Sequence, residues 1–264
     1  MVNSILEKHN FKEINNLNQR GGRMLSIIDL LKDGTLNSEI AGFLLYSMME
    51  NKSFLTAANP SGTGKTTLMG ALLGLLKPGV RIKTINNHIN PDNIQDHKNI
   101  RFLIHEIGDG PYYSYIWGKD VSNFFQLGGQ NSLASCMHAD TLKEMKNILF
   151  NPPLSVNEID FYNLDLILFM KMSGNFTSRI RRISEIYGSC DNKFIKLYEW
   201  ESKTDKFKRK EINKFLKFIS NKKDNSLADI KAQLDKSEKV IKNIKKKDII
   251  KLEQVRKEIR RNYF

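Results

Sequence analysis

Residues 59–67 read Asn-Pro-Ser-Gly-Thr-Gly-Lys-Thr-Thr, and these residue types at this spacing can bind the phosphates of a nucleotide. Gly62 and Gly64 let the backbone wrap closely, so that its N–H groups point at an anion. We expect Lys65 to reach the β- and γ-phosphates and the Thr66 hydroxyl to ligate Mg²⁺. The segment therefore predicts a site for ATP and Mg²⁺. Its members are Asn59, Pro60, Ser61, Gly62, Thr63, Gly64, Lys65, Thr66 and Thr67.

The segment departs at one position from the usual pattern G-x-x-x-x-G-K-[ST], because Asn59 stands where the first glycine is expected. Asparagine is among the few residues other than glycine that adopt left-handed backbone routinely, so the loop tolerates the change. An apolar strand precedes the loop at 53–58 and an amphipathic helix follows it at 65–76. That helix directs its positive N-terminal end at the same anion. The alternative, a chance Gly-Lys-Thr in a surface turn, does not account for this context.

Predicted strands and helices alternate between residues 24 and 200, which favours an α/β fold whose sheet is largely parallel and sandwiched by helices. We predict strands at 53–58, 81–85, 101–107, 132–137 and 164–172, and a closing hairpin at 179–187 and 194–200. Helices are predicted at 24–31, at 38–51 with Asn37 as its cap, at 65–76, at 121–127, and from Asp140 or Thr141 to 150. The run 164–172 is apolar enough to be buried on both faces.

Composition and periodicity change along the chain and divide it into three parts. We predict a polar segment at 1–23, an ATPase domain at 24–203 and a basic helical extension at 204–264. The first part shows no periodic pattern. The extension contains helices predicted at 212–219, 227–244 and 248–263, each with a narrow apolar stripe. No apolar run approaches the ~18 residues of a membrane span, and the first residues lack the apolar core of a signal peptide. With two lone cysteines as well, we expect a cytoplasmic protein.

The formal charge of +13 is concentrated in the extension. Residues 201–264 hold 21 lysines and arginines against 10 aspartates and glutamates, so the rest of the chain is nearly neutral. One interpretation is that these basic residues form the solvated faces of helices and bind no partner. The functional interpretation is docking to an acidic partner or to an anionic membrane surface, which would place the protein peripherally at a membrane. We do not expect a nucleic-acid partner, because the few aromatic residues show no interleaved stacking pattern.

Five blocks of sequence carry a resemblance to a known family. They are IIDLLKDGTL at 27–36, the phosphate loop at 59–67, FLIHEI at 102–107, SLASCMHADT at 132–141 and RRISEIY at 181–187. In this order they resemble the secretion-type ATPases that drive type II secretion, type IV pili and the archaellum. The fourth block is similar to the histidine box of that family. It discriminates best, because many phosphate-loop families share only the glycine-rich loop.

The resemblance implies a RecA-like P-loop motor domain that hydrolyses ATP in a hexameric ring and works with a membrane platform protein. It also implies roles for single residues. Lys65 and Thr66 would hold phosphate and Mg²⁺, Glu106 would bind Mg²⁺ or polarise the attacking water, and His138 would sense the γ-phosphate. The residues agree with this, because Glu106 follows an apolar strand, where α/β sheets place ligands. The separate N-terminal domain of the family is expected to be missing, since the chain begins just before the motor blocks.

Two departures from the family leave the rate of hydrolysis open. The family has an acidic box on the strand after the phosphate-loop helix, but here that strand ends in Asn86 and Asn87, and amides take no proton from water. Gly108 stands where the family has an arginine. A positioned general base typically contributes ~10²–10⁴ in rate, so the loss matters. Candidates for a replacement carboxylate are Asp92, Asp96 and Asp109.

Three functions therefore stay open at this point. The first is a motor ATPase with relocated catalytic groups. The second is a nucleotide-binding regulatory or structural subunit with weak hydrolysis. The third is a P-loop ATPase that uses its basic extension on nucleic acid.

Overall fold

The computed structural model describes residues 4–18, 21–86, 88–91, 99–129, 131–174, 178–223 and 225–263. Within them the strands are β1 (Phe54–Ala57), β2 (Arg81–Thr84), β3 (Ile100–Leu103), β4 (Glu106–Ile107), β5 (Tyr115–Ile116), β6 (Ser132–Met137), β7 (Leu166–Ser173), β8 (Ile180–Ser189), β9 (Phe194–Glu201) and β10 (Lys206–Arg209). The helices are α1 (Ser4–Asn16), α2 (Ile27–Lys32), α3 (Ser38–Met49), α4 (Lys65–Leu73), α5 (Lys119–Gln126), α6 (Leu142–Phe150), α7 (Glu158–Phe161), α8 (Ile212–Lys223), α9 (Leu227–Lys246) and α10 (Leu252–Tyr263).

The described strands form one mixed sheet in the order β10-β9-β8-β7-β1-β6-β3-β2, with β4 pairing with β6 and β5 pairing with β4. The pairs from β7 across β1, β6 and β3 to β2 are parallel, and those from β7 to β10 are antiparallel. The predicted α/β fold with a largely parallel sheet is thus confirmed, and so is the closing hairpin. All four residues of β1 are buried, as the central strand of a covered sheet requires.

Helices cover both faces of this sheet, because each strand alternates its side chains between two apolar layers. In β1, Phe54 packs into the layer that contains α2, α3, α4 and the three C-terminal helices, while Leu55 packs into the layer that contains α5, α6 and α7. The predicted cap of α3 is confirmed, because the Asn37 side chain accepts from the N–H of Ile40 at 2.9 Å. Of the two caps offered for α6, the structure uses Thr141.

One segment for which no element was predicted contains a helix, and one predicted strand was wrong. The segment at 1–23, which shows no periodic pattern, contains α1. The side chain of Asn10 in α1 bonds the main chain of Val80 and Ile82 at 2.8 and 2.9 Å, so tertiary hydrogen bonds hold this helix in place. The strand predicted at 101–107 is split into β3 and β4. The backbone N–H of His105 donates to the carbonyl of Ser114 at 2.9 Å. From there the chain pairs with β5 as strand β4, whereas β3 pairs with β2.

The C-terminal helices pack on the sheet layer through their apolar stripe. Ile241 and Ile244 of α9 belong to the same buried cluster as α3. Arg256 of α10 is buried, ion-paired with Glu7 of α1, and donates to the carbonyl of Leu76 at 2.7 Å. The division of the chain into domains near residue 203 stays a prediction. Strand β10 lies beyond that position and still pairs with β9 of the sheet. None of the helices in the described ranges has the length and apolar content to cross a membrane.

Gly42 of α3 sets how closely α9 approaches, and it gives the first testable prediction. A Cβ atom at Gly42 would lie 2.7 Å from the Cα of Glu238, inside any real contact distance. We expect Gly42→Ala to lower the free energy of unfolding, because overpacking typically costs about 1–3 kcal/mol and exceeds the up to ~1 kcal/mol that alanine gains in a helix. Urea denaturation measures this, with Gly129→Ala as control, whose Cβ would meet nothing closer than 4.0 Å. Equal or higher stability of Gly42→Ala would contradict this packing.

Candidate functional site

The segment 59–67 forms a loop between β1 and α4 with the shape of a phosphate cradle. Gly62 and Gly64 have φ angles of 86° and 103°, in the left-handed region that favours glycine. A Cβ on Gly64 would also lie 3.2 Å from the Cε of Met170, so both conformation and space select glycine there. Gly64 is the N-cap of α4 and offers no side-chain acceptor. The first-turn N–H groups of α4 are therefore free of a side-chain cap and suit an anion.

Lys65, His138 and Glu106 lie in direct contact beside this loop. The Lys65 Nζ is 3.1 Å from the His138 Nε2 and donates to the carbonyl of Ala58 at 3.3 Å. The same His138 nitrogen is 2.9 Å from the Glu106 Oε1. Lys65 and Glu106 are buried, whereas His138 is partly exposed. The structure thus brings together the three side chains to which the sequence analysis assigned catalysis.

Strand pairing explains why these side chains meet. Lys65 follows β1, and His138 follows β6, which pairs with β1 in parallel. Glu106 begins β4, whose Ile107 is in register with Met137 at the end of β6. Because parallel strands end at the same edge, the three groups reach one point.

Asn59 has a larger role than the sequence suggested. Its side-chain oxygen is 3.0 Å from the His138 Nδ1, so it links the phosphate loop to the histidine. Its own N–H donates to Asp140 at 2.7 Å, and its amide group donates to Glu144 at 3.4 Å. Asn59 is not among the residues with positive φ, so the expectation that it adopts left-handed backbone in place of glycine was wrong. Its side chain contributes the contact to the histidine ring, which glycine would lose.

Two further groups that the sequence analysis missed lie against the carboxylate of Glu106. The hydroxyl of Tyr115 donates to its Oε2 at 3.1 Å, and the thiol of Cys136 lies 3.7 Å from the same oxygen. Burial and the charge of Glu106 raise the pKa of Tyr115, which keeps the phenol a donor. No sequence signal marks Tyr115, because it lies in a stretch without periodic pattern and only the β4–β5 pairing brings it near.

The structure describes some of the residues at the departures from the family and some of the carboxylates proposed to replace the acidic box. Asn86 is exposed and accepts from the N–H of Ser114 at 3.1 Å, so it holds a loop and does not line the cavity. Gly108 and Asp109 both line the cavity. Asn87, Asp92 and Asp96 lie outside the described residues. Within those residues, Glu106 is the carboxylate that contacts His138, and His138 in turn contacts Lys65.

The loop and the cluster open into one cavity of about 950 Å³. This size suits a nucleotide, since ligand pockets are typically ~300–1,000 Å³. The cavity is also bordered by the start of the chain around Arg23 and by the aromatic side chains of Tyr112 and Trp117. Mg²⁺ is usually held by one or two carboxylates, waters and substrate phosphates, so Thr66 and Glu106 are a suitable donor set. The residues present therefore fit ATP and Mg²⁺.

Comparisons with known proteins give limited similarity. No protein-family model matches the chain, and no curated protein matches it. Among solved structures, the chain is similar to the VirB11 ATPase from the Brucella suis type IV secretion system in complex with sulphate, with 18% identity and a TM-score of 0.42 over 61% of this chain and 54% of that one. It is also similar to the ATPase DotB of Legionella pneumophila, with 11% identity and a TM-score of 0.41 over 80% and 57% of the two chains.

A third similar structure is the ATPase DotB of Yersinia pseudotuberculosis, with 14% identity and a TM-score of 0.39 over 61% and 49% of the chains. The chain spans about half the length of the structures it matches. At these identities and TM-scores, the likeness carries no argument about activity. The case for function rests on the site itself.

The thiol of Cys136 lies beneath the cluster and provides a test of this geometry. It is fully buried and donates to the carbonyl of His105 at 3.0 Å. Burial, reinforced by the charge of Glu106, raises the pKa of the Cys136 thiol. Since the thiolate is the reactive form and its pKa is raised, the thiol stays protonated and inert at pH 8.

We expect the Cys190→Ser protein, in which Cys136 is the remaining thiol, to react with a disulfide reagent at pH 8 far more slowly when folded than when unfolded in urea. Absorbance of the released thiol measures both rates. Reaction of the folded protein at the rate of the unfolded chain would contradict the burial of Cys136 under Glu106.

Proposed function

We propose that the chain binds ATP with Mg²⁺ and hydrolyses it. The observation that carries the proposal is the contact of Lys65, His138 and Glu106 at the mouth of a glycine-shaped phosphate loop. A buried cation beside an uncapped helix N-terminus suits a polyphosphate. A buried carboxylate next to them suits a metal ion or an attacking water.

Each side chain has a role in this proposal. Lys65 and the N–H groups of α4 hold the phosphates, and Thr66 and Glu106 hold Mg²⁺. Glu106 also orients the water that attacks the γ-phosphate in line, with its carboxylate fixed by Tyr115. His138, which Asn59 holds against Lys65, senses the γ-phosphate. Stabilisation of the transition state is mainly electrostatic, as is usual for phosphoryl transfer.

The finer proposal is a motor subunit of a type II or type IV secretion or pilus-like machine. It is supported by the five sequence blocks at 27–36, 59–67, 102–107, 132–141 and 181–187, which occur in the order found in those ATPases. On this proposal the chain forms a hexameric ring in the cytoplasm and works with a membrane platform protein.

A second candidate is a nucleotide-binding regulatory or structural subunit with weak hydrolysis. It is favoured by Asn86, which replaces an expected carboxylate and turns its amide toward Ser114. Glu106, the carboxylate that contacts His138 in the described part of the chain, then orients the water while it is paired with that histidine. The two candidates differ in turnover and agree on binding.

Nucleotide binding and steady-state turnover separate these candidates. We expect Lys65→Ala to lose both, because it removes the phosphate-binding cation. We expect Glu106→Gln to keep ATP binding and to lose ~10²–10⁴ of the rate, the usual contribution of a positioned base. Fluorescent ATP binding and phosphate release measure the two quantities.

Lys257→Ala and Glu253→Gln are matched controls, because both residues are exposed on α10. Wild-type protein that binds ATP but turns over no faster than Lys65→Ala would rule out the motor and leave the regulatory subunit. Wild-type protein that does not bind ATP would rule out both.

For the basic C-terminal helices we propose docking to an anionic membrane surface. Lys231, Lys239 and Lys246 of α9 are exposed and have no carboxylate partner in the described part of the chain. They recur on one helix face, while the apolar stripe of α9 is buried against α3. Because that stripe is part of the core, neutralising the lysines is a cleaner test than deleting the helices.

We expect replacement of Lys231, Lys239 and Lys246 by glutamine to weaken binding to phosphatidylserine vesicles at least tenfold, since each basic residue typically contributes ~1 kcal/mol. Cosedimentation at low and high salt measures it. The control triple at the exposed residues Lys8, Lys12 and Lys77 changes the net charge equally. Equal loss in both triples, or preference for a polynucleotide over vesicles, would contradict the proposal.

A further inference from the structure

We infer that Arg181, on strand β8, is a phosphate ligand of the bound nucleotide. The inference rests on the proposed function, because it assigns a further residue to the same site. Arg181 is the second residue of its strand and lies opposite Met172 of β7 in the antiparallel register. The side chain reaches the loop from the strand that closes the cavity.

The position of the side chain is set by the loop itself. The Arg181 Nε donates to the carbonyl of Gly62 at 3.0 Å. Its Cδ lies 3.5 Å from the place where a Cβ of Gly64 would stand. The arginine therefore lies against the two left-handed glycines, and it lines the same cavity as Lys65 and Glu106.

The charge of Arg181 distinguishes it from the two other arginines near the loop. Arg23 is paired with Asp29 through two hydrogen bonds of 2.8 and 2.5 Å. Arg182 is paired with Asp205 through two of 2.8 and 2.9 Å. Arg181 has no carboxylate partner among the described residues, and its two terminal NH₂ groups donate to no described protein acceptor. An uncompensated guanidinium held at a phosphate loop matches the planar, bidentate recognition of phosphate.

No other described arginine can supply this charge from the strands next to Glu106. Arg101 of β3 is fully buried and donates to the carbonyl of Lys52 at 2.7 Å. Burial lowers the pKa of Arg101 to about 9. Its guanidinium donates to main-chain carbonyls and does not line the cavity. Gly108, which follows Glu106, brings no charge. Among the described residues of these strands no guanidinium lines the cavity, whereas Arg181 lies at the loop and does.

Lys65 and Arg181 place two cations in one cavity. Like charges that share a site repel each other, and a polyanion that lies between them removes this repulsion. The triphosphate of ATP gains from both cations, whereas adenosine gains from neither. Arg181 thus predicts an affinity that depends on phosphate groups and not on the base.

The test compares Arg181→Ala and Arg181→Lys with wild type in the full chain. We expect Arg181→Ala to weaken ATP binding roughly tenfold or more, the usual effect of losing a charge-assisted hydrogen bond, and to leave adenosine binding unchanged. Arg181→Lys should recover only part of the loss, because lysine cannot form the bidentate contact. Isothermal titration with ATP and adenosine measures both affinities.

The control is Arg209→Ala, since Arg209 is exposed on β10, does not line the cavity and forms its ion pair with Glu39. ATP binding by wild type and its loss in Lys65→Ala, together with unchanged affinity in Arg181→Ala, would overturn the assignment of Arg181 alone. Absence of ATP binding by wild type would overturn the proposed function instead. A lower melting temperature of Arg181→Ala with equal loss of ATP and adenosine binding would show a structural role and would also overturn the inference.

Discussion

The parallel pairing of β1 with β6 on one side and with β7 on the other is the constraint on which the site depends. Residues Phe54–Ala57 are in register with 134–137 and with 166–169. Since all three strands run the same way, their carboxyl ends finish at one edge of the sheet. The phosphate loop leaves β1 there, and His138 leaves β6 beside it. Met170, the residue of β7 just past this register, packs against Gly64.

A second layer of contacts fixes the side chains that the strands bring to this edge. Tyr115 donates to one oxygen of Glu106 and Cys136 lies against the same oxygen, while Asn59 connects the loop to the ring of His138. In a buried site such contacts are worth more than in water, because the local dielectric is low. Asn59 is therefore better described as part of the site than as a tolerated substitute for glycine.

The C-terminal helices show why charge and packing have to be considered separately. By composition they form a basic extension, yet their apolar stripe belongs to the same buried cluster as α3 and α4. Gly42 allows α9 to approach α3 closely, and Arg256 joins α10 to α1 through Glu7. The lysines are left on the outer face, where a partner would meet them. One set of helices thus serves both the core and a basic surface.

Local sequence patterns predicted most of the helices and strands and the position of the phosphate loop. Alternating apolar strands and helices specify a covered parallel sheet, and the spacing of Gly62, Gly64 and Lys65 specifies a phosphate loop, because both depend on residues close together in the chain. The groups that surround the predicted site residues became known from the folded chain. The pairing of β4 with β5 places Tyr115 near Glu106, and the antiparallel pairing of β7 with β8 places Arg181 near the loop. The bond of Asn59 to Asp140 likewise joins residues far apart in the chain. No local pattern encodes these contacts. The break between β3 and β4, and the helix α1, were decided in the same way, because their polar groups find partners far along the chain.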